Sequence, residues 1–171
     1  VRSVLGASLE ENLRMIYESV DLLVRQGRKV IFDAEHLFDG YNEDKEYALA
    51  AITAAHEAGA RTICLCDTNG GRLPGEIYDI ISQLKSKGFE LGMHAHDDIG
   101  CGVANTLSAV QAGAVHVQGT LLGMGERCGN ANLSAIIPTL MLKLGLDCIP
   151  PQKLCLLTKQ ARSVAEISNV V

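Results

Sequence analysis

Two histidines separated by one residue stand in the segment Gly92–Gly100, which reads GMHAHDDIG. The apolar residues before them predict a β-strand, and side chains at positions i and i+2 of a strand point to the same face. His94 and His96 would then direct both imidazoles into one space, with Asp97 and Asp98 directly after them. This arrangement suits a divalent metal ion. Taken alone, the pattern fits equally well a pair of histidines packed in a core or lying on a solvated strand.

The composition restricts the kinds of protein that this chain could be. Of its 171 residues, 47% are hydrophobic and 4% aromatic, and 17 are glycine, which is typical of one α/β unit with a sizeable core. The net charge is -5 with both signs interspersed, so we expect no nucleic-acid partner. We find no apolar run long enough to span a bilayer, no signal peptide and no lipidation motif. The expectation is a cytoplasmic protein without a membrane partner.

The six cysteines lie mostly within apolar patterns rather than at the spacings of a disulfide framework. Cys64 and Cys66 form a CxC motif in a predicted strand. Such a pair could bind a metal ion, but the strand context favours buried, unpaired thiols that pack outward against a helix. Reduced thiols agree with a cytosolic enzyme.

Helix-like and strand-like runs alternate along the chain, with no linker between them. A capping box at residues 8–11 predicts the start of the first helix, and Gly27 predicts its end. The elements predicted after it are strand 29–36, helix 44–58, strand 62–67, helix 74–87, strand 90–96, helix 102–112, strand 116–119 and helices 131–144 and 151–167. This order predicts parallel strands joined by right-handed crossovers.

Polar residues gather at the carboxyl end of every predicted strand. They are Asp33, Glu35, Asp67, Thr68, His94, His96 and the segment 118–120. Both (β/α)₈ barrels and open doubly wound sheets hold their ligands at that end. The predicted strands recur at intervals of roughly thirty residues, the length of a βαβ unit. Four such units amount to half a barrel, since a complete barrel takes about 250 residues.

Four motifs carry a resemblance to a known family. They are Ile31–Tyr41 (IFDAEHLFDGY), Leu65–Gly71 (LCDTNGG), the GMHAHDDIG segment and Gly123–Asn132 (GMGERCGNAN). In this order and spacing they resemble the 2-isopropylmalate, homocitrate and citramalate synthases, a family of DRE-TIM metallolyase-type barrels. The first two motifs are most similar to the citramalate synthase branch.

The resemblance covers nearly the whole chain and implies a TIM (β/α)₈ barrel. Residues 1–171 would form the C-terminal half of the catalytic domain, with strands five to eight and their helices. The family's first-strand Asp-Arg-Asp-Gly type motif, which supplies a further metal ligand and a substrate-binding arginine, has no counterpart in this sequence. The first half of the barrel and the family's C-terminal regulatory region are likewise outside it.

The resemblance also implies which residues form the site. His94 and His96 would be metal ligands, and Asn130 a further oxygen ligand, although its place before a helical run also suits a helix cap. Mixed nitrogen and oxygen ligation suits Mg²⁺, Mn²⁺ or Zn²⁺. Glu35 would be the catalytic carboxylate in the first strand, with a salt-bridged barrel residue as the alternative. His36 would be a loop residue rather than a base.

A second set of residues is expected to support the metal ligands or to contact the substrate. The set comprises Asp67, Thr68, Asp97, Glu126 and Arg127. Glu126 would orient the ligands, with an exposed glutamate near a turn as the alternative. Arg127 would pair with Glu126 in preference to a substrate carboxylate. Asp97 stands where relatives usually carry asparagine.

The implied reaction is a Claisen condensation by an acyltransferase. Acetyl-CoA loses a methyl proton, and the enolate attacks the ketone of a 2-oxo acid that a metal ion polarises and orients. Pyruvate as the acceptor would give (R)-citramalate, a precursor of isoleucine. The full-length enzyme would be a homo-oligomer.

Three alternatives to this function stay open. One is a 2-isopropylmalate synthase of leucine biosynthesis or a homocitrate synthase, and another is an inactive half-barrel fragment. The third is a related acyl-CoA lyase. Lyases of the hydroxymethylglutaryl type carry a catalytic cysteine in the glycine loop before the ligand asparagine. Cys128 follows GER and lies too close to Asn130 for that pattern, which favours a synthase.

Overall fold

Four β-strands form one parallel sheet in the order β1-β2-β3-β4. The computed structural model describes residue 1 and residues 5–169. The strands are β1 Ile31–Ala34, β2 Thr62–Asp67, β3 Leu91–Ala95 and β4 His116–Gln118. Parallel neighbours that follow one another along the chain confirm the predicted alternation of strands and crossover helices.

One helix precedes the first strand, and the others connect the strands or follow the last one. They are α1 Leu9–Arg25, α2 Leu37–Glu43, α3 Lys45–Glu57, α4 Pro74–Lys85, α5 Gly102–Gln111, α6 Leu133–Lys143 and α7 Leu157–Ile167, with 3₁₀ turns at Leu121–Gly123 and Pro151–Leu156. Ser8 caps α1 by accepting a hydrogen bond from the Glu11 backbone at 3.0 Å. Pro74 opens α4, where its fixed φ suits the first turn. None of the described helices is long and apolar enough to cross a membrane.

The segment after β1 differs from the prediction. The strand ends at Ala34 rather than at residue 36, and the short helix α2 occupies residues that the sequence pattern left outside any helix. His36 precedes α2 with a positive φ of 55°. Phe38 and Tyr41 of α2 are buried. Burial of this apolar face therefore decides the local structure, as tertiary packing commonly overrides weak propensities.

The two faces of the sheet differ in character. Ile63, Leu65, Leu91 and Met93 are fully buried and belong to the hydrophobic core with residues of the covering helices. The strand register places Asp33 beside Cys64, and His94 between Cys66 and Gln118, on the opposite face. We call this second surface the polar face.

The cysteines of β2 therefore point the other way from the prediction. Cys64 and Cys66 are buried and free, as expected, but they lie on the polar face and not against the helices. The larger Ile63 and Leu65 occupy the helix-facing positions, and strand alternation leaves the opposite face to the thiols. Hydrogen bonding with Cys66 and burial raise the pKa of the Cys64 thiol, so the free thiol stays protonated in this structure.

Candidate metal and active site

His94 and His96 lie side by side at the carboxyl end of β3. Their ring centroids are 5.3 Å apart and the ring planes are inclined by 33°. His94 is in the strand, whereas His96 follows it and forms an isolated antiparallel bridge with Asn130. The His96 backbone also donates to the Asp67 carbonyl at 3.2 Å, which keeps the chain extended beyond the strand.

Asn130 joins the two histidines from the loop after β4. Its Nδ2 lies 3.0 Å from His94 Nε2. The helix-cap alternative for this residue is wrong, because Asn132 caps α6 by accepting from the Ser134 backbone at 2.9 Å. The structure thus brings together the three residues that the resemblance implied as ligands.

Glycines allow the loop to fold this closely around Asn130. A Cβ on Gly125 would overlap the Asn130 side-chain oxygen, and a Cβ on Gly129 would overlap the Gly123 carbonyl. Gly129 also has a φ of +103°, a conformation that glycine adopts at little cost. The glycines of the GMGERCGN segment therefore shape the site, because they leave space that any other residue would fill.

The second nitrogen of His94 has a partner on β4. Gln118 Oε1 lies 2.7 Å from His94 Nδ1, and Gln118 Nε2 donates to Asp33 Oδ1 at 2.8 Å. Three strands thus contribute to one hydrogen-bonded row on the polar face. The sequence reasoning placed Asp33 and Gln118 at strand ends but assigned them no role.

The donor set fits a divalent metal ion. His96 Nδ1 is buried and lacks a hydrogen-bond partner among the described residues, which is uncommon for a buried polar atom. A half-turn of the Asn130 amide would present its oxygen towards His94 Nε2. The described residues contain no group of three or more His, Cys, Asp or Glu side chains arranged for a metal ion. This chain would therefore offer two imidazoles and one amide oxygen.

Glu35 is a loop residue and not part of β1. Its carboxylate is exposed and accepts a hydrogen bond from Thr68 Oγ1 at 2.7 Å. The Thr68 hydroxyl in turn accepts from the His36 backbone at 2.8 Å. Within residues 5–169 no cation forms a salt bridge with Glu35.

Asp67 lies on the opposite side of β2 from the polar face. It is 1% exposed and accepts hydrogen bonds from the Gly71 and Arg72 backbones at 3.3 and 3.2 Å. Burial raises the pKa of Asp67, and the two backbone bonds partly offset that effect. The carboxylate thus supports the loop between β2 and α4.

Asp97 supports another turn near the site. Its Oδ1 accepts from the Gly102 backbone at 2.6 Å, at the start of α5. A Cβ on Gly102 would lie 2.9 Å from that oxygen, so the contact depends on glycine. In the described structure neither Asp67 nor Asp97 hydrogen-bonds the side chains of the two histidines.

Arg127 ties three loops together. Its guanidinium makes two bonds to Asp98, from Nε at 2.8 Å and from Nη2 at 2.9 Å, and Nη2 also donates to the Thr68 carbonyl. The expected pair with Glu126 is present at 3.3 Å, but the Glu126 side chain is 73% exposed. Hydrogen bonding from Arg127 lowers the pKa of Asp98. Asp98 is thus a partner that sequence reasoning missed, although it belongs to the histidine motif.

Comparison with known proteins identifies relatives over nearly the whole chain. Residues 1–164 match the family described as HMGL-like. The chain is 52% identical to the (R)-citramalate synthase of Synechocystis sp. over 97% of this chain and 32% of that protein. It is 55% identical to the (R)-citramalate synthase of Aquifex aeolicus over 99% of this chain and 33% of that protein.

A solved structure shows the same fold. The HMG-CoA lyase of Bacillus subtilis superposes with a TM-score of 0.77 at 21% identity, covering 96% of this chain and 58% of the lyase. The chain spans about a third of the length of the curated relatives that it matches.

Proposed function

Because the chain belongs to the HMGL-like family, we propose that it is part of a metal-dependent enzyme that condenses acetyl-CoA with a 2-oxo acid. Pyruvate is the acceptor and (R)-citramalate the product in this proposal, which takes its support from the similarity to (R)-citramalate synthases. A role in isoleucine biosynthesis, a cytoplasmic location and a homo-oligomeric complete enzyme belong to the same proposal.

The chain would supply strands five to eight of a TIM barrel. Its four parallel strands are half of the eight that such a barrel needs. The candidate site lies where strands β1, β3 and β4 end, and barrels of this kind hold their active sites at that end. The first half of the barrel would come from chain outside these 171 residues.

One observation carries the proposal: an asparagine amide lies 3.0 Å from His94 Nε2, with the His96 ring beside it. Two imidazole nitrogens and an amide oxygen are ligands that suit Mg²⁺, Mn²⁺ or Zn²⁺. A divalent ion bound there would polarise the ketone of the 2-oxo acid and orient it. These three residues would be part of the ligand set, which a further protein ligand from the first half of the barrel would complete.

The remaining residues orient groups around the ligands. Glu35 is the proposed catalytic carboxylate: Thr68 holds one of its oxygens, and the exposed carboxylate can receive a hydrogen bond or a proton from a substrate. Arg127 keeps the loops after β2, β3 and β4 together through Asp98 and the Thr68 carbonyl. Glu126 adds a second, more exposed carboxylate beside Arg127.

Calorimetric titration with Mn²⁺ tests the metal site. We expect one weak site in the chain, weak because it holds only three of the ligands. His94→Ala, His96→Ala and Asn130→Ala should each lower the Mn²⁺ affinity by at least about 10- to 100-fold. That is the usual effect of losing a hydrogen bond that supports a metal ligand, and loss of the ligand itself should cost no less. His56→Ala is the matched control, because His56 is an exposed histidine of α3 outside the ligand set. Equal Mn²⁺ binding by the chain and the three ligand variants would refute the proposed site.

A further inference from the structure

Asp33, Gln118 and His94 form a continuous hydrogen-bonded row across the polar face. The distances are 2.8 Å from Gln118 Nε2 to Asp33 Oδ1 and 2.7 Å from Gln118 Oε1 to His94 Nδ1. Asp33 belongs to β1 and Gln118 to β4, the two outer strands of the sheet. The row therefore joins strands that do not pair with each other in the described structure, and it ends on a proposed metal ligand.

The chemistry of the three groups decides which one donates and which one accepts in each hydrogen bond of the row. An ionised carboxylate only accepts hydrogen bonds, so the amide of Gln118 must turn its NH₂ towards Asp33. Its oxygen then faces His94, and an oxygen acceptor at 2.7 Å requires a proton on His94 Nδ1. In the neutral ring, Nε2 is left with a lone pair.

The other side of the His94 ring agrees with this assignment. Asn130 Nδ2 is a donor and lies 3.0 Å from His94 Nε2, where only a lone pair can accept it. In the amide orientation that the structure shows, Asn130 thus agrees with the tautomer that the Asp33–Gln118 row assigns. A ring protonated on Nε2 instead would face a donor at Nε2 and would leave the Gln118 oxygen without its hydrogen.

We propose that Asp33 and Gln118 are positioning residues that hold His94 in the Nδ1-protonated form and direct the lone pair of Nε2 into the site. The inference rests on the proposed metal-binding function. Metal-binding histidines commonly donate their second N–H to a carboxylate, a carbonyl or a water, which fixes the ring and raises its basicity as a ligand. Here the Gln118 amide lies between His94 and the Asp33 carboxylate. Asp33 orients the amide, and the amide oxygen accepts the hydrogen bond from His94 Nδ1.

The tautomer can be read without any metal. Nitrogen-15 NMR of the metal-free chain, with labelled histidine and His94→Gln for assignment, distinguishes a protonated Nδ1 from a protonated Nε2. We expect the proton on Nδ1 in the neutral ring. A proton on Nε2 in the wild-type chain would overturn the inference, whatever the variants do.

Two sets of variants test the link to metal binding. Gln118→Met keeps the side-chain length but removes both hydrogen bonds, and should weaken Mn²⁺ binding about 10- to 100-fold. Gln111→Met, at the exposed end of α5, is the matched control and should leave binding unchanged. Asp33→Asn combined with Gln118→Glu reverses the order of amide and carboxylate at constant net charge. This double variant should recover most of the affinity and the Nδ1 proton.

The outcomes separate the inference from the proposed function. Gln118→Met could lose folding stability while the His94 tautomer and the Mn²⁺ affinity stay unchanged. That result would show that Gln118 only stabilises the fold, and it would overturn the inference. If Gln118→Met does not fold, the wild-type spectrum and the reversed pair still decide. A protonated Nδ1 without any Mn²⁺ binding by the wild-type chain would support the tautomer assignment and refute the proposed metal site.

Discussion

The position of Asn130 depends on the glycines of the loop that carries it. The loop after β4 bends back on itself, and the Asn130 backbone donates to the Gly123 carbonyl at 2.9 Å. Gly125 leaves the space that the Asn130 amide occupies. At the scale of single residues, the site is therefore specified as much by the glycines as by the groups that could bind a metal ion.

Gly125→Ala tests this dependence. The added methyl would overlap the Asn130 side-chain oxygen and push the amide away from His94. We expect a loss of stability of about 1–3 kcal/mol, the usual cost of overpacking, together with weaker Mn²⁺ binding. Thermal unfolding and calorimetry measure both effects.

Gly75→Ala is the control for that substitution. Gly75 lies in the first turn of α4, has open space around its Cα and needs no positive φ. Alanine there should leave Mn²⁺ binding unchanged and raise stability by up to about 0.5–1 kcal/mol. Wild-type Mn²⁺ affinity in Gly125→Ala would show that the loop adapts and that the glycine is not required.

Ion pairs between loops hold the elements around the site. Arg72, just before α4, binds Asp39 of α2, and its side chain is only 15% exposed. Asn69 also donates to Asp39, at 2.6 Å. The helix that the sequence pattern missed is thus fastened to the loop after β2. Burial acts to raise the pKa of Asp39, but the bonds and charge of Arg72 and the amide of Asn69 outweigh it, and the pKa is lowered.

Asp39→Ala should therefore destabilise the fold in a pH-dependent way. We expect a loss of about 1.5 kcal/mol at neutral pH, at the low end for hydrogen bonds to charged groups because Asp39 is partly exposed. The folded-state pKa lies below the unfolded-state value. The wild-type advantage is therefore complete above the unfolded-state pKa and is lost as the pH falls through the folded-state pKa. Chemical unfolding of both proteins across the acidic range measures it.

Asp21→Ala is the matched control for Asp39→Ala. Asp21 pairs with Arg25 at 2.8 Å within α1, where the arginine side chain is 77% exposed. An exposed pair of this kind contributes about 0.3–0.5 kcal/mol. A stability difference for Asp39→Ala that is as small as this, or that grows towards low pH, would contradict the proposed fastening of α2.

The whole molecule has two open sides. In the described structure, β1 and β4 each pair with a strand on one side only. Large apolar side chains are exposed beside them, including Ile31 at 39% and Val115 at 65%. Unpaired strand edges and apolar surface of this kind call for a covering partner. The proposed first half of a barrel would provide one.

We expect the 171-residue chain alone not to condense acetyl-CoA with pyruvate at a rate near that of a complete enzyme. Reaction rates are steeply sensitive to geometry, and a displacement of about 1 Å can cost about a hundredfold. Supplying a preceding barrel half in trans, for example from a citramalate synthase relative, should restore part of the activity. Release of free CoA measures it, with pyruvate compared against 2-oxoisovalerate and 2-oxoglutarate.

Each outcome of that assay has a definite meaning. Metal-dependent and pyruvate-dependent CoA release by the chain alone would show that four strands suffice. Restored activity with 2-oxoisovalerate or 2-oxoglutarate in place of pyruvate would replace citramalate formation by another condensation of the same type. Light scattering of the isolated chain shows whether it covers its open sides by self-association.

Local patterns in the sequence were enough to predict most of the secondary structure. Alternation of apolar and polar residues, capping residues and glycines at helix ends identified all four strands and most of the helices, because these signals extend over only a few residues. The spacing of His94 and His96 sufficed to place both imidazoles on one side. The four motifs sufficed to identify the family.

Features that depend on residues far apart in the chain became visible in the folded molecule and not before. Burial against the sheet made residues 37–43 a helix, and packing chose which side of β2 faces the helices, so Cys64 and Cys66 turned to the polar face. Asp33 and Gln118 are 85 residues apart, and no local pattern links them. Strand register brings them to either side of the histidine motif, because a parallel sheet aligns residues by hydrogen bonding between strands and not by their separation along the chain.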